Sequence, residues 1–421
     1  MSFRPISISL SPNVEPDDIR LVLKLIFRPW LWKKRNKNKE SEIESLENEF
    51  KKYFNVKYAF SFNSARSCFF ALLKSLDLNP ESEVLLQSFT CNATVNPILW
   101  AGLKPKYVDC SENDFNIDLN DLKNKVSLKT RVLLVQHTFG MPADMESISE
   151  IAKENNLILI EDCAHSLGAE YNGKKVGSFG KAAFFSFSRD KIISSIYGGI
   201  LITNDSELAQ KINDFRNSIK YPPHYWILQQ LIHPLLLNYI VLPIYNFIDL
   251  GKLFLILSQW LHIVSKAVHW KEKRGQIPSY FPKKLPNALA MLSLNQFKKL
   301  ERFNNHRQEL ADFYYKNLSG TKFILPEKFD NRKNAFLRFS IKHPDAHSII
   351  YKAWEKENIL IGDWYTTPIA PYDTKLEEME YIMGMCPKAE KLANITLNLP
   401  THINISKKDA QRIIDFLKST N

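Results

Sequence analysis

The strongest constraint on the fold is an alternation. Between Tyr58 and Asn204 the short apolar runs "YAFSF", "EVLLQSF", "KPKYVD", "TRVLLVQHTF", "LILIEDC", "AAFFSFS" and "GGILITN" are interleaved with stretches of helical periodicity such as "ARSCFFALLKSL", "NATVNPILWAG" and "DMESISEIAKENN". Short apolar strands separated by helical patterns predict an α/β fold on a mostly parallel sheet, because helices between the strands cover its two faces. Ligands of such sheets gather beyond the carboxyl ends of the strands. Ahead of the alternation, "SEIESLENEFKKYF" (41–54) reads as an amphipathic helix with its cap at Ser41. With 421 residues, 45% of them hydrophobic, there is material for one large domain and a smaller one.

Charge is unevenly placed. Of a net charge of +11, eight cations (Arg20, Lys24, Arg28, Lys33, Lys34, Arg35, Lys37 and Lys39) fall between Ile19 and Lys39 with no acid among them. Ile19, Leu23, Ile26 and Trp30 recur there at helical spacing beside the aromatics of "RPWLWKK", as in a segment lying on an anionic membrane surface. Packing of this arm on a partner subunit is the other reading. No nucleic-acid-binding module accompanies the basic run, so nucleic acid is not expected as a partner. Cys68, Cys91, Cys110, Cys163 and Cys386 are odd in number and scattered, which fits a reducing compartment and no metal site. No basic start followed by an apolar block opens the sequence, so a cytoplasmic location is expected.

Residues 222–270 differ in kind. No Asp, Glu, Lys or Arg occurs from Tyr221 through Ile248, and a shorter apolar stretch follows Lys252. His233, Pro234, Asn238 and Pro243 break the run, against a straight spanning helix. A helical hairpin dipping into one leaflet, with Trp226, Trp260 and Trp270 at interfacial positions, is expected; extra dimer core is the alternative. The resulting division is a basic arm (1–40), a large domain (41–221), the apolar insertion (222–270), and a helix with a small C-terminal domain (271–421).

Three stretches carry candidate chemistry, each with an ordinary reading beside it. Asn63-Ser64-Ala65, between a strand and a helix, offers free N–H groups to an anion, or is only a cap. Asp162, emerging with Glu161 from "LILI" and followed by His165, is a partly desolvated acid in want of a positive partner, or caps the next turn. Lys191, in "FFSFSRDKIISSIYGGILITND", is an amine among apolar residues with a usable lone pair for a carbonyl, or joins Arg189 and Asp190 in a surface charge cluster. A phosphate cradle, a carboxylate for a pyridinium N–H and an amine for an aldehyde together match the needs of pyridoxal 5′-phosphate.

From about residue 5 onward the chain resembles the DegT/DnrJ/StrS-type sugar aminotransferases. Carrying the likeness are "DLNPESEVLLQSFTCNATVNPILWAGLKPKYVD", "FNIDLNDL", "QHTFGMPADMESI", "IEDCAHSLGAEYNGKKVGSFGKAAFFSF", Lys191 with "GGILITND", and "CPKAEKLANITLNLP". The resemblance implies a fold-type-I large domain with a seven-stranded, mainly parallel sheet, a smaller C-terminal domain and a homodimer. It implies pyridoxal 5′-phosphate as cofactor, glutamate as amino donor and a keto-sugar as acceptor, nucleotide-linked or, given the apolar insertion and the basic arm, lipid-linked. Lys191 falls at the lysine joined to the cofactor's aldehyde, Asp162 at the partner of the pyridine nitrogen, His165 near the phenolic oxygen, and Ser186 at the phosphate. Ser64 and Ala65 replace the usual Gly-Thr of the phosphate turn, with Ser67 offered in place of the lost hydroxyl. Cys91 replaces an aromatic that stacks on the ring, and Lys283 or Lys284 stands in for an Asn-Tyr-Arg approach to the partner's phosphate. Relatives that carry histidine at the lysine position are dehydratases, so Lys191 implies transamination. A non-catalytic, regulatory relative is the alternative.

Overall fold

A computed structural model describes residues 4–32 and 41–420. Lys33, Lys34, Arg35, Lys37 and Lys39 of the basic arm lie outside the described residues.

The expected strands form. They are β1 (Tyr58–Phe62), β2 (Glu83–Gln87), β3 (Lys104–Val108), β4 (Thr130–Gln136), β5 (Ile158–Asp162), β6 (Ala182–Ser186) and β7 (Gly199–Thr203), and they join in one sheet in the order β1-β7-β6-β5-β4-β2-β3. Only β7 runs antiparallel to its neighbours. Side-chain alternation divides each strand between two cores: in β6, Ala182 and Phe184 pack on one face while Ala183 and Phe185 pack on the other. Continuous apolar runs are therefore what a sheet covered on both sides requires. The small domain adds the antiparallel pair β8 (Arg338–Lys342) and β9 (Thr396–Pro400). It is stapled to the large one where Ile369–Ala370 pair with Thr90–Cys91.

The helices used below are α1 (Pro16–Ile26), α2 (Glu42–Phe54), α3 (Ala65–Ser75), α4 (Asn92–Trp100), α5 (His224–Leu236), α6 (Leu250–Trp260) and α7 (Asn287–Phe297). Ser41 caps α2 as predicted: its hydroxyl accepts the Glu44 N–H at 3.2 Å and the Glu44 carboxylate accepts the Ser41 N–H at 2.7 Å. The described part of the arm is docked on its own chain. Ile19, Val22 and Leu25 are buried, with α1 packed on α5 and α7, whereas Leu23, Phe27 and Trp30 point to solvent. Ile19, Leu23 and Trp30 thus do not share one surface as the spacing suggested, because α1 buries one of its two apolar strips and ends at Ile26, before Trp30. Residues 222–270 do form a hairpin: α5 passes through a π turn at Leu237–Val241 and a bend into α6, and the returning chain brings the His262 carbonyl to the Gln229 amide at 2.7 Å. Among the described residues no helix is long and apolar enough to cross a membrane.

Candidate active site

Strand register gathers the site. Gly199 of β7 lies opposite Phe62 of β1 and Ser186 of β6, and Phe184 of β6 lies opposite Asp162 of β5, so four chain segments meet at one edge of the sheet. After β1 the chain turns directly into α3. Ser64 caps that helix by accepting the Ser67 N–H at 3.1 Å, leaving the N–H groups of Ala65 and Arg66 at the helix start beside a cavity. A Cβ at Gly199 would come within 2.4 Å of the Ala65 nitrogen and 2.6 Å of the Ser64 carbonyl carbon. Only glycine lets β7 run this close to the cradle.

The cavity, of about 130 Å³, is lined by seven of the residues singled out in the sequence: Ser64, Ala65, Cys91, Asp162, His165, Ser186 and Lys191. Alternation along β5 sends Glu161 to the opposite face, where the N–H groups of Gly177, Phe179 and Gly180 hold its carboxylate. Asp162 faces the cavity. Its carboxylate accepts the Ala164 N–H at 2.9 Å and the Thr94 hydroxyl at 3.2 Å, and burial raises its pKa against the pull of Ala164 and Lys191. Burial pushes the Lys191 amine down to about 8 from its ordinary 10.5, with Asp162 opposing the shift. The amine sits 5.0 Å from the centre of the Trp364 ring. His165 is buried and, with Lys191 and Arg338 nearby, its pKa lies well below 6.5, so the ring is neutral. Since its Nδ1 accepts the Phe139 N–H at 3.3 Å, its proton is on Nε2.

Several expectations are revised by the packing. Arg189 and Asp190 do not form a surface cluster: both line the cavity, Arg189 giving its N–H groups to the Ser265 carbonyl and hydroxyl at 3.0 Å each. Ser67 does not restore the missing hydroxyl of the phosphate turn, since it is buried and donates to Asn63 at 2.7 Å. Lys284 reaches the Asn217 carbonyl and stands over Tyr221, away from its own chain's cavity, while the Lys283 backbone closes on Asn63. At Cys91 the thiol caps α4, accepting the Ala93 N–H at 3.5 Å, and brings no ring. An aromatic wall comes instead from "DWYTT", a stretch that said nothing in the sequence. Trp364 stacks on His165 at 5.4 Å and on Tyr365 at 5.8 Å, with the Arg338 guanidinium 3.3 Å from its ring centre.

Other residues at the site were also missed. Thr94 follows Cys91 by three positions on the helix that Cys91 caps, a spacing that puts both on one face. Arg66, the second residue of α3, lines the cavity and is bridged to buried Glu272. Its other partner is the Ala267 carbonyl at 3.2 Å, and Ala267 and Val268 are cavity wall. The chain leaving the insertion therefore forms one side of the site. A helix start with free N–H groups, a glycine that keeps it open, and a lysine facing a buried carboxylate form a donor set that fits pyridoxal phosphate.

Comparison with known proteins places these features in a wider group. The model of the DegT/DnrJ/EryC1/StrS aminotransferase family matches residues 30–225 and 260–418. The "Pleiotropic regulatory protein" of Geobacillus stearothermophilus is 28% identical over 378 residues, 89% of this chain and 87% of that one. The "dTDP-3-amino-3,6-dideoxy-alpha-D-galactopyranose transaminase" of Aneurinibacillus thermoaerophilus is 26% identical over 375 residues, 89% and 88% of the two chains. Among solved structures, "Helicobacter pylori PseC, aminotransferase involved in the biosynthesis of pseudoaminic acid" has the same fold, with a TM-score of 0.74 at 23% identity over 99% of both chains. Residues 226–259, between the two matched blocks, carry nearly all of α5 and α6.

Proposed function

Because the chain belongs to the DegT/DnrJ/EryC1/StrS aminotransferase family and is a pyridoxal-phosphate-dependent aminotransferase, we propose that it moves the amino group of glutamate to the ketone of a nucleotide- or lipid-linked sugar. It does so in glycan or lipid biosynthesis, as a homodimer at the cytoplasmic face of a membrane. One observation carries the catalytic reading: the buried Lys191 amine and the buried Asp162 carboxylate line a single cavity together with the open start of α3.

Pyridoxal phosphate, when bound, supplies an aldehyde that takes up amines and a ring that accepts the electron pair left when a Cα–H bond breaks. The chain's residues do the rest. The N–H groups of Ala65 and Arg66, with the hydroxyl of Ser186, would hold the phosphate, while the Ser64 hydroxyl, given to Ser67 at 3.1 Å, keeps the turn in shape. Asp162 would keep a proton on the ring nitrogen, its carboxylate fixed in place by the bonds from Ala164 and Thr94. His165, with its proton on Nε2, would offer it to the phenolic oxygen. Lys191, with a proton affinity near neutrality, takes the proton from the donor's Cα and delivers it where the amino group is transferred. Trp364 and Tyr365 exclude water on the side of the small domain.

The test is direct. Protein loaded with cofactor should release 2-oxoglutarate from glutamate, and borohydride should fix the cofactor to the peptide that contains Lys191. Full glutamate-dependent activity in Lys191→Ala would remove the basis of this reading. A panel of nucleotide-linked and polyprenyl-linked keto-sugars identifies the acceptor.

A further inference from the structure

Helix α6 is built inside out. The residues it buries are small, Gly251 and Ser258, and a Cβ on Gly251 would lie 2.4 Å from the Val241 carbonyl oxygen, so the helix rests directly on the backbone of the preceding turn. Outward it presents Leu250, Leu253, Phe254, Ile256, Leu257 and Trp260, from 36% exposed at Phe254 to 74% at Trp260. Ile248, 81% exposed, extends the strip at one end. The cation of the helix, Lys252, does not interrupt it, because its amine is drawn back to Asp249 at 2.6 Å and lies over the Trp354 ring. A solvated helix has the reverse arrangement, and an apolar face of this extent marks an interaction surface.

The charges around the strip say what covers it. From Tyr221 to Trp270 the single acid is Asp249, already paired. Ten residues beyond α6 in the chain, Trp270, 53% exposed, has the cationic groups of Lys271 and Arg274 at 5.8 and 5.7 Å from its ring, and Lys266 is exposed. On α1, which packs against α5, and in the turn that follows it, Leu23, Phe27 and Trp30 are exposed, as are Arg20, Lys24 and Arg28. A second copy related by a twofold axis would set this basic rim against itself. Anionic head groups would neutralise it, and interfacial aromatics flanked by cations suit that depth. At 11 residues, α6 is about 16 Å long, roughly half the hydrocarbon thickness of a bilayer, so it can lie along a leaflet and not cross it.

We propose that the outward face of α6 docks on a bilayer rich in anionic lipid, with its apolar side chains below the head groups and Trp270 and its cations at their level. The inference rests on the membrane-surface reading given above and names the element responsible. The seven residue steps from Trp260 to Ala267 span at most about 25 Å, so docking holds the cavity wall within that distance of the lipid.

The experiment is flotation of the full-length, cofactor-loaded protein with vesicles of phosphatidylcholine alone or mixed with phosphatidylglycerol. The wild type should float with the mixed vesicles and be released in part by high salt. Each large apolar side chain withdrawn from burial corresponds to about tenfold in partition, so the double variant Ile256→Asp, Trp260→Asp should bind at least tenfold less. Its mass by light scattering and its glutamate half-reaction should stay those of the wild type. The proposal is overturned if the wild type ignores anionic vesicles, if the variant floats equally well, or if the variant's mass halves, which would put a second copy on this face. Failure of the aminotransferase reading would show separately, as absence of the half-reaction in both proteins.

Discussion

Replacing Lys191 by Met in the cofactor-free protein isolates the energy stored in the site. The amine titrates at about 8 in the folded chain and at an ordinary 10.5 when unfolded, so 2.5 pH units separate the two states, worth about 3 kcal/mol. Below pH 8 the amine is protonated in both states and the folded one bears the whole cost of enclosing a charge. Between pH 8 and 10.5 the unfolded chain holds more protons, so wild-type stability rises with pH. Above 10.5 the amine is neutral in both states and the cost is gone. Met has no charge to enclose, and its packing differs from that of Lys by an amount that pH does not change. Lys191→Met should therefore be more stable than the wild type by a margin that shrinks by about 3 kcal/mol between pH 7 and 10.5. Urea unfolding of both proteins at several pH values measures this, and the remaining lysines and tyrosines cancel in the comparison. A margin that stays constant to within half a kcal/mol or so would mean that Lys191 is not enclosed as described, and its assignment would lose its physical basis.

Asp162→Asn should keep the fold and the cofactor's link to Lys191 but slow the glutamate half-reaction by about two to four orders of magnitude, read in single-turnover absorbance. Gly199→Ala should force β7 and the start of α3 apart, lowering stability by about 1 to 3 kcal/mol and weakening cofactor binding, measured by thermal unfolding and by titration with the cofactor. Arg66→Met strands the fully buried Glu272 without its partner and should cost about 3 to 5 kcal/mol, most of it recovered when Glu272→Gln is added; if the double variant is no more stable than the single one, the bridge is not what the site depends on.

The residues that periodicity and strand ends could expose were legible before folding. Apolar runs broken by helical stretches require a covered parallel sheet, and a ligand at its carboxyl edge follows from that topology. Asp162, Ser186 and Lys191 sit at or just beyond strand ends, and Ser64 and Ala65 at a strand-to-helix turn, so their neighbourhood depends on local chain order and one register. Arg66, Arg338 and Trp364 were not legible in that way. Arg66 acquires its role by meeting Glu272 about two hundred positions later, and Trp364 by the pairing of Ile369–Ala370 with Thr90–Cys91. Arg189 and Asp190 looked like surface charges because sequence does not say which cations are enclosed, and only the returning segment at Ser265 closes over Arg189.

By itself the sequence determined the succession of strands and helices and the candidate cradle, amine and acid, because those depend on short-range pattern and on the chemistry of single residues. Tertiary structure alone decided which charges are dry, which aromatic walls the cavity, and which side of α6 faces outward. These depend on contacts between segments far apart in the chain, where burial, and not residue type, sets the energy of a charge or an apolar face.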